Sequence, residues 1–218
     1  MFYQHKSLNF FSRKLEQDTT IMLVFMPPDT RQLFKSQFPI VWKVITFPAG
    51  EYGKASVRYV LRPAFGHGQV DQDYLFHPTG WAQAQNGGLV GISGSPGQLK
   101  FDENIKGDDP KHIACKNDTD NQIDLSVGII KGSGANEKYE PTVVWTGVGA
   151  GANITTQFRS KLSVYVTRDY KPNQILRGEV ETDVIWSHNL DEIDDVTSWI
   201  FVQDDDTGAF SIVSASGV

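Results

Sequence analysis

The chain has 218 residues, of which 39% are hydrophobic, with five Trp, seven Tyr and thirteen Phe. This is enough apolar material for a sizeable core, and it excludes an intrinsically disordered chain. Twenty basic against twenty-six acidic residues give a net charge of −6, which argues against a nucleic-acid groove and a polybasic membrane anchor, both of which need a basic stripe.

The opening residues, MFYQHKSLNFFSRKLEQ, are aromatic and of mixed charge. They lack the uninterrupted apolar run of a secretory leader and read as either a helix or an edge strand. Met22 to Phe25 reads as a strand, and Asp29 to Gln37 as two helical turns started by an Asp N-cap. Phe38 to Tyr59 holds two strand-like runs rich in aromatic residues around a Pro-Ala-Gly-Glu-Tyr-Gly turn, which predicts a β-hairpin. Further along, Tyr74 to Phe76 and Leu89 to Ile92 are strand candidates. The polar stretch Phe101 to Thr119 reads as a long loop between two halves. Ile123, Leu125, Val127 and Ile129 alternate with polar or small residues, as do Leu162, Val164 and Val166. Thr142 to Thr146, Ser198 to Val202 and Phe210 to Val213 complete the set.

The clearest alternation places Leu176, Gly178, Val180, Thr182, Val184 and Trp186 on one face, with Arg177, Glu179, Glu181 and Asp183 on the other. That is the pattern of a half-buried antiparallel strand. Turn clusters rich in glycine separate these elements, among them Gly66-His67-Gly68 and Gly94-Ser95-Pro96-Gly97. The spacing predicts an all-β protein: one antiparallel β-sandwich domain spanning 1–218, of about ten strands around a two-sheet core, with at most a short N-terminal helix.

Cys115 is the only cysteine, so an intramolecular disulfide is excluded and a reducing compartment is favoured. No window approaches the ~20 apolar residues of a membrane span. The expectation is therefore a soluble cytoplasmic protein, in which the N-x-T sequons at Asn117 and Asn153 are chance occurrences.

Carboxylates crowd at Asp118, Asp120 and Asp124, at Asp191, Glu192, Asp194 and Asp195, and at Asp204, Asp205 and Asp206. Such loops suit a hard cation, Mg²⁺ or Ca²⁺, and equally serve as solvated turns that keep strand edges apart. The better candidate is the Asp204 to Asp206 run, although no cluster has the spacing of an EF-hand. The five histidines show no zinc or non-haem iron spacing, but His67 lies between two glycines and His188 follows Trp186-Ser187, where each can reach a pocket mouth. Gly91-Ile-Ser-Gly-Ser95 breaks the nucleophile-elbow pattern. Thr146 to Gly151 likewise fails as a dinucleotide loop. Most aromatic side chains will be core. Tyr74, Phe76, His77 and Trp81, however, sit among turn residues where rings can line a pocket and stack on a planar ligand or a sugar.

The segment PIVWKVITFPAGEYGKASVRYV, followed by AFGHGQVD, resembles a signature of mushroom fruiting-body β-proteins that runs as WKVI, FP, YGKA and then QVD. It covers Pro39 to Asp71, about a seventh of the chain, with Trp42, Lys43, Gly53, Lys54, Gln69 and Asp71 at matching positions. The resemblance extends to the pink-coloured fruiting-body chromoproteins, and it implies a noncovalently held aromatic chromophore in a colourless β-scaffold, with carboxylates available for a cation beside a chelating pigment.

Three classes of function stay open at this stage. The first is non-enzymatic binding of a small aromatic ligand at Tyr74, Phe76, His77, Trp81, His67, Trp186 and His188, with a homodimer as the expected assembly. The second is a lectin or lipid-binding defence protein using exposed Trp and Tyr. The third is a small-molecule enzyme using loop carboxylates with His67, His77 or His188.

Overall fold

The protein is described by a computed structural model over residues 4–27, 33–50, 52–107, 109–178, 180 and 182–215. The chain opens with β1 (His5–Arg13), β2 (Thr19–Phe25), a short β3 (Gln37–Pro39), β4 (Val41–Phe47) and β5 (Gly53–Val60). Its middle supplies β6 (Pro63–Val70), β7 (Phe76–Gln83), β8 (Gly88–Ser93), β9 (Lys100–Phe101), β10 (Ile105–Lys106), β11 (Ile113–Asn117), β12 (Ile123–Lys131), β13 (Lys138–Val148) and β14 (Asn153–Thr156). The last stretch returns with β15 (Lys161–Thr167), β16 (Val184–Asn189), β17 (Val196–Gln203) and β18 (Phe210–Ser214). The helical pieces among the described residues include the three-residue 3-10 turns at Gly134–Asn136 and Leu190–Glu192.

The protein is all-β and sandwich-like, with mostly antiparallel pairing; β1–β17 and β8–β11 are the parallel exceptions. Four sheets arise where a two-sheet core of about ten strands is expected from the spacing. The strands order as β18-β17-β1-β5, β16-β15-β2-β4, β3-β13-β12-β6-β7 and β10-β8-β11-β14, with β9 on β8. The first two sheets face each other over a core that includes Phe10, Phe25, Trp42, Tyr59, Trp186 and Phe201. The other two enclose a second core, with Phe65, Val90, Ile92, Cys115, Leu125 and Val127. The period of two explains the layers: β1 buries Lys6, Leu8, Phe10 and Ser12 and turns His5, Asn9 and Arg13 away.

Several expectations from the sequence change. The N-terminal residues form a strand, but β1 lies inside its sheet, between β17 and β5, and not at an edge. Phe38 to Tyr59 is not a hairpin: β4 pairs with β2, β5 pairs with β1, and Phe38 belongs to β3 on β13. The turn between β4 and β5 carries the chain from one sheet to the sheet facing it, so Trp42 and Tyr59 meet across the core around Phe25. Gly50, at φ +115°, exchanges two backbone hydrogen bonds with Leu15 and anchors this arch. Of the helix expected at Asp29 to Gln37, residues 29–32 lie outside the described residues, and 34–36 form a turn leading into β3. Phe101 to Thr119 is no linker, because it carries β10 and β11 of the second sheet pair.

The most regular alternation also departs from a strand. Among residues 174–183, Gln174 and Ile175 make isolated bridges, Glu179 and Glu181 lie outside the described residues, and the strand begins only at Val184. Here the chain is a strap. Ile175 packs with Ile40, Phe76 and Val144, while Leu176 packs with Met22, Val24 and Val41. Its backbone binds Val41 on one side and Tyr74 and Phe76 on the other. Opposite-facing apolar neighbours thus cover two patches, where an alternating strand would put Leu176 and Trp186 on one face.

Candidate functional site

At one end of the second sheet pair the two layers part into a cleft of about 400 Å³, lined by His67, Gln69, Leu99, Asn121, Gln122 and Asp124, among others. Its construction starts in the pairing of β6 with β7. The register slips between His67 and Gly68, so Thr79 of β7 is an extra residue opposite the pair. The bulge swings the Thr79 hydroxyl onto His67: Oγ1 lies 3.0 Å from Nδ1 and donates to the His67 carbonyl at 3.3 Å. A proton on Nδ1 satisfies both contacts. Burial lowers the His67 pKa, which favours the uncharged ring.

The ring is fixed from its other sides as well. Phe101 of the opposing sheet lies 5.5 Å away between centroids, and Gly80 gives Nε2 room that a Cβ would fill at 2.6 Å. Asp124, paired with Gly68 on the neighbouring strand β12, accepts the Gly147 backbone N–H at 2.9 Å through Oδ1. The floor beside Thr119 and Asn121 rests on Asn117, which is fully buried. Its Nδ2 donates to the carbonyls of Asn121, Val148 and Gly149, while Oδ1 accepts from the Thr119 backbone and hydroxyl. The Asn117 sequon amide is thereby consumed inside the fold; Asn153, at the second sequon, is exposed.

The other residues singled out in the sequence do not join this cleft. Phe76 is fully buried with Ile40, Val144 and Ile175. His77 binds Asp71 at 2.7 Å, and Asp71 also accepts the backbone N–H groups of Asp73 and Leu75, so QVD closes the β6–β7 turn. Those bonds, His77's first, hold the Asp71 carboxyl below its usual range. Tyr74, at φ +60°, lies under the Arg177 guanidinium. Trp81 is 40% exposed and stacks near-parallel on Tyr139, whose ring fills the space a side chain at Gly66 would occupy.

Trp186 and His188 lie on β16 in the first sheet pair, clustered with Trp199: His188 is 4.8 Å from Trp186 and 4.9 Å from Trp199 between centroids. Trp186 is core, and a second groove of about 460 Å³ runs past Trp199, Val196 and Asp194. At the β17–β18 turn, Asp204 Oδ1 accepts from the Asp206 and Thr207 backbones and from the Thr207 hydroxyl. Those bonds, the hydroxyl's first, lower its pKa, so this carboxylate caps its own turn. Among the described residues no three His, Cys, Asp or Glu side chains group as metal ligands. Burial pushes the Cys115 thiol up to about 12.

Residues of the resembled motif are largely structural. Trp42 Nε1 donates to Glu140 Oε2 and Lys43 Nζ to Glu140 Oε1, each at 2.7 Å. Gly53 is packed against the Ser12 hydroxyl. No protein-family model, curated protein or solved structure matches the chain. No helix among the described residues is long and apolar enough to cross a membrane. Asn121 and Gln122, which help to line the cleft, escape a reading of the sequence because amides in turns carry no motif, while Gln69 on β6 is marked only by the resembled signature. The His67–Thr79 contact depends on the bulge, which leaves no mark in the residue pattern.

Proposed function

We propose that the protein binds a small ligand without turning it over, in the cleft beside His67, and that the ligand is a planar aromatic molecule with hydrogen-bonding groups on its rim. The observation that carries this reading is the bulge at Thr79, which locks an uncharged imidazole into the wall of a cavity of small-molecule size. Val70, Leu99 and Ile123 offer apolar contact to the faces of a ring. The amides of Gln69, Asn121 and Gln122 offer donors and acceptors to its edge. A pigment of the kind implied by the fruiting-body resemblance belongs to this class. In such a cleft the protein's role is to orient the ring and limit its contact with water. Asp204 to Asp206 lie in the other sheet pair, so a cation there would act apart from this ligand.

The test is the absorption spectrum of protein purified from its native source, with mass spectrometry of whatever is released on unfolding. A band beyond Trp and Tyr absorption that vanishes on unfolding, with release of an aromatic compound whose rebinding weakens in Gln69→Ala, supports the reading. Protein that shows only Trp and Tyr absorption and releases nothing removes it.

A further inference from the structure

Charge averaged over the chain is acidic, but the outward face of the sheet β18-β17-β1-β5 is not. Residue pairing places Ser7, Asn9 and Phe11 of β1 beside Arg58, Ser56 and Lys54 of β5 on this side, with His5 and Arg13 at the two ends of the same row. The outward positions of β17 and β18 continue it with Val196, Ser198, Ile200 and Val202, then Ser211 and Val213. No Asp or Glu occupies an outward position on these four strands. Arg13, Lys54 and Arg58 are exposed, and among the described residues none of the three forms an ion pair.

Tyr52, at the start of this face, is 62% exposed and leans on Phe11 at 6.1 Å between centroids; Lys54 Nζ lies 5.5 Å from the same Phe11 ring. Between Lys54 and Arg58 the surface is neutral and hydrogen-bonding: Ser56 donates to Asn9 Oδ1 at 2.7 Å, and Asn9 Nδ2 donates to the Thr197 carbonyl. The acidic turns at 191–195 and 204–206 lie at the two ends of β17 and flank the cationic row, with Glu192 and Asp194 sharing a groove with Val196 and Ser198.

We infer that this face binds an extended anionic polysaccharide, with Tyr52 as the stacking platform for a sugar ring and Arg13, Lys54 and Arg58 as partners of its acid groups. Charge complementarity selects an anionic chain, since Arg13, Lys54 and Arg58 make a local cationic row on a protein of net charge −6. The spacing selects the kind of chain. Lys54 and Arg58 are four residues apart on one strand, about 13 Å, with hydroxyl and amide groups between them. That suits a polymer with sparse acid groups separated by sugar hydroxyls. A nucleic-acid strand carries a phosphate at every nucleotide, and here it would find most of them unpaired in a repulsive overall field. The inference is independent of the cleft and its ligand.

The experiment uses the full chain with fluorescent hyaluronan oligosaccharides of defined length, which carry one carboxylate per disaccharide, a neutral chitin oligosaccharide and a single-stranded oligonucleotide of matched length. Expected is saturable binding of the acidic oligosaccharide that weakens with salt, with little binding of the other two. Lys54→Ala with Arg58→Ala should cost about tenfold or more in affinity and flatten the salt dependence. Tyr52→Ala should cost about fivefold with the salt dependence kept. All three positions are exposed, so unchanged unfolding temperatures separate a binding loss from a folding loss. Absence of binding at low salt, affinity unchanged in these variants, or equal affinity for the oligonucleotide each overturns the inference.

Discussion

The two sheet pairs solve the packing problem with different residues. The first core takes Phe10, Phe25, Trp42, Phe47, Tyr59, Trp186, Trp199 and Phe201. The second is aliphatic apart from Phe65, with partly buried Phe101, Trp145 and Phe158 at its margin. Large rings bridge the inter-sheet distance from both sides and fill the centre of the first pair, whose groove lies at its margin beside Trp199. Shorter side chains close the centre of the second pair, but its end stays open, where His67, Gln69 and Ile123 line the cleft. A ring-rich stretch of sequence therefore marks packing here, and the candidate ligand site lies where rings are few.

The comparison is tested first by emptying each core. Phe25 is 1% exposed and touches Trp42, Tyr59 and Phe158, so Phe25→Ala should lose about 3–5 kcal/mol. Ile92→Val in the second core should lose about 1 kcal/mol. Ile129 of β12 packs into the first core, and Phe158 packs against both. Urea unfolding followed by Trp fluorescence and by circular dichroism should accordingly show one coincident transition for either variant. Two separated transitions would mean that each sheet pair is stable alone.

Next in size is Asn117, whose side chain ties the β11–β12 and β13–β14 connections beneath the cleft. Asn117→Ala leaves the carbonyls of Val148, Gly149 and Asn121 without this donor and should cost roughly 3 kcal/mol, read from the urea midpoint. The conservative Asn117→Asp should not recover the loss, because its carboxylate cannot donate to three carbonyls.

Legibility from sequence follows the same division. The all-β class was readable because β2, β12, β15 and β17 keep apolar residues at strand spacing. The arch between β4 and β5 was not, since a Pro-Gly turn between two strands has the same local chemistry whether the strands pair or face each other across a core. The alternation from Leu176 to Trp186 reads as one strand for a related reason: the pattern is real, but the patches that Ile175 and Leu176 cover are tertiary. Of the candidate residues, His67 was visible through its flanking glycines. Trp186 and Phe76 were indistinguishable from pocket residues until their neighbours were known.

A smaller effect should come from the link between the pairs. Glu140 of β13 accepts from Trp42 and Lys43 of β4, with Lys43 29% and Glu140 18% exposed. Glu140→Gln retains an acceptor for Trp42 and removes the charge opposite Lys43, so it should lose about 1 kcal/mol. Glu140→Ala should lose more by leaving the Trp42 N–H unpaired. If the two variants are equal in urea, the carboxylate contributes through its charge alone.

The smallest predicted effect separates the two ends of the comparison by pH. Burial favours the neutral form of His67, so its folded pKa lies below the roughly 6.5 of an unfolded histidine. Between those two values the unfolded chain binds more protons, and stability rises with pH. The contribution of His67 is therefore whole above about pH 6.5 and declines as pH falls through the window toward the lowered folded value. Asp71 and Asp204, whose folded pKa values are also lowered, lose their stabilising contributions only in the carboxylate range below about pH 4, which keeps them apart from this step. His67→Gln should flatten the slope of the urea midpoint just below neutrality while leaving the acid limb in place. A slope that survives the substitution would assign it to another histidine, and the imidazole at the cleft would then not be the buried neutral group on which the ligand reading rests.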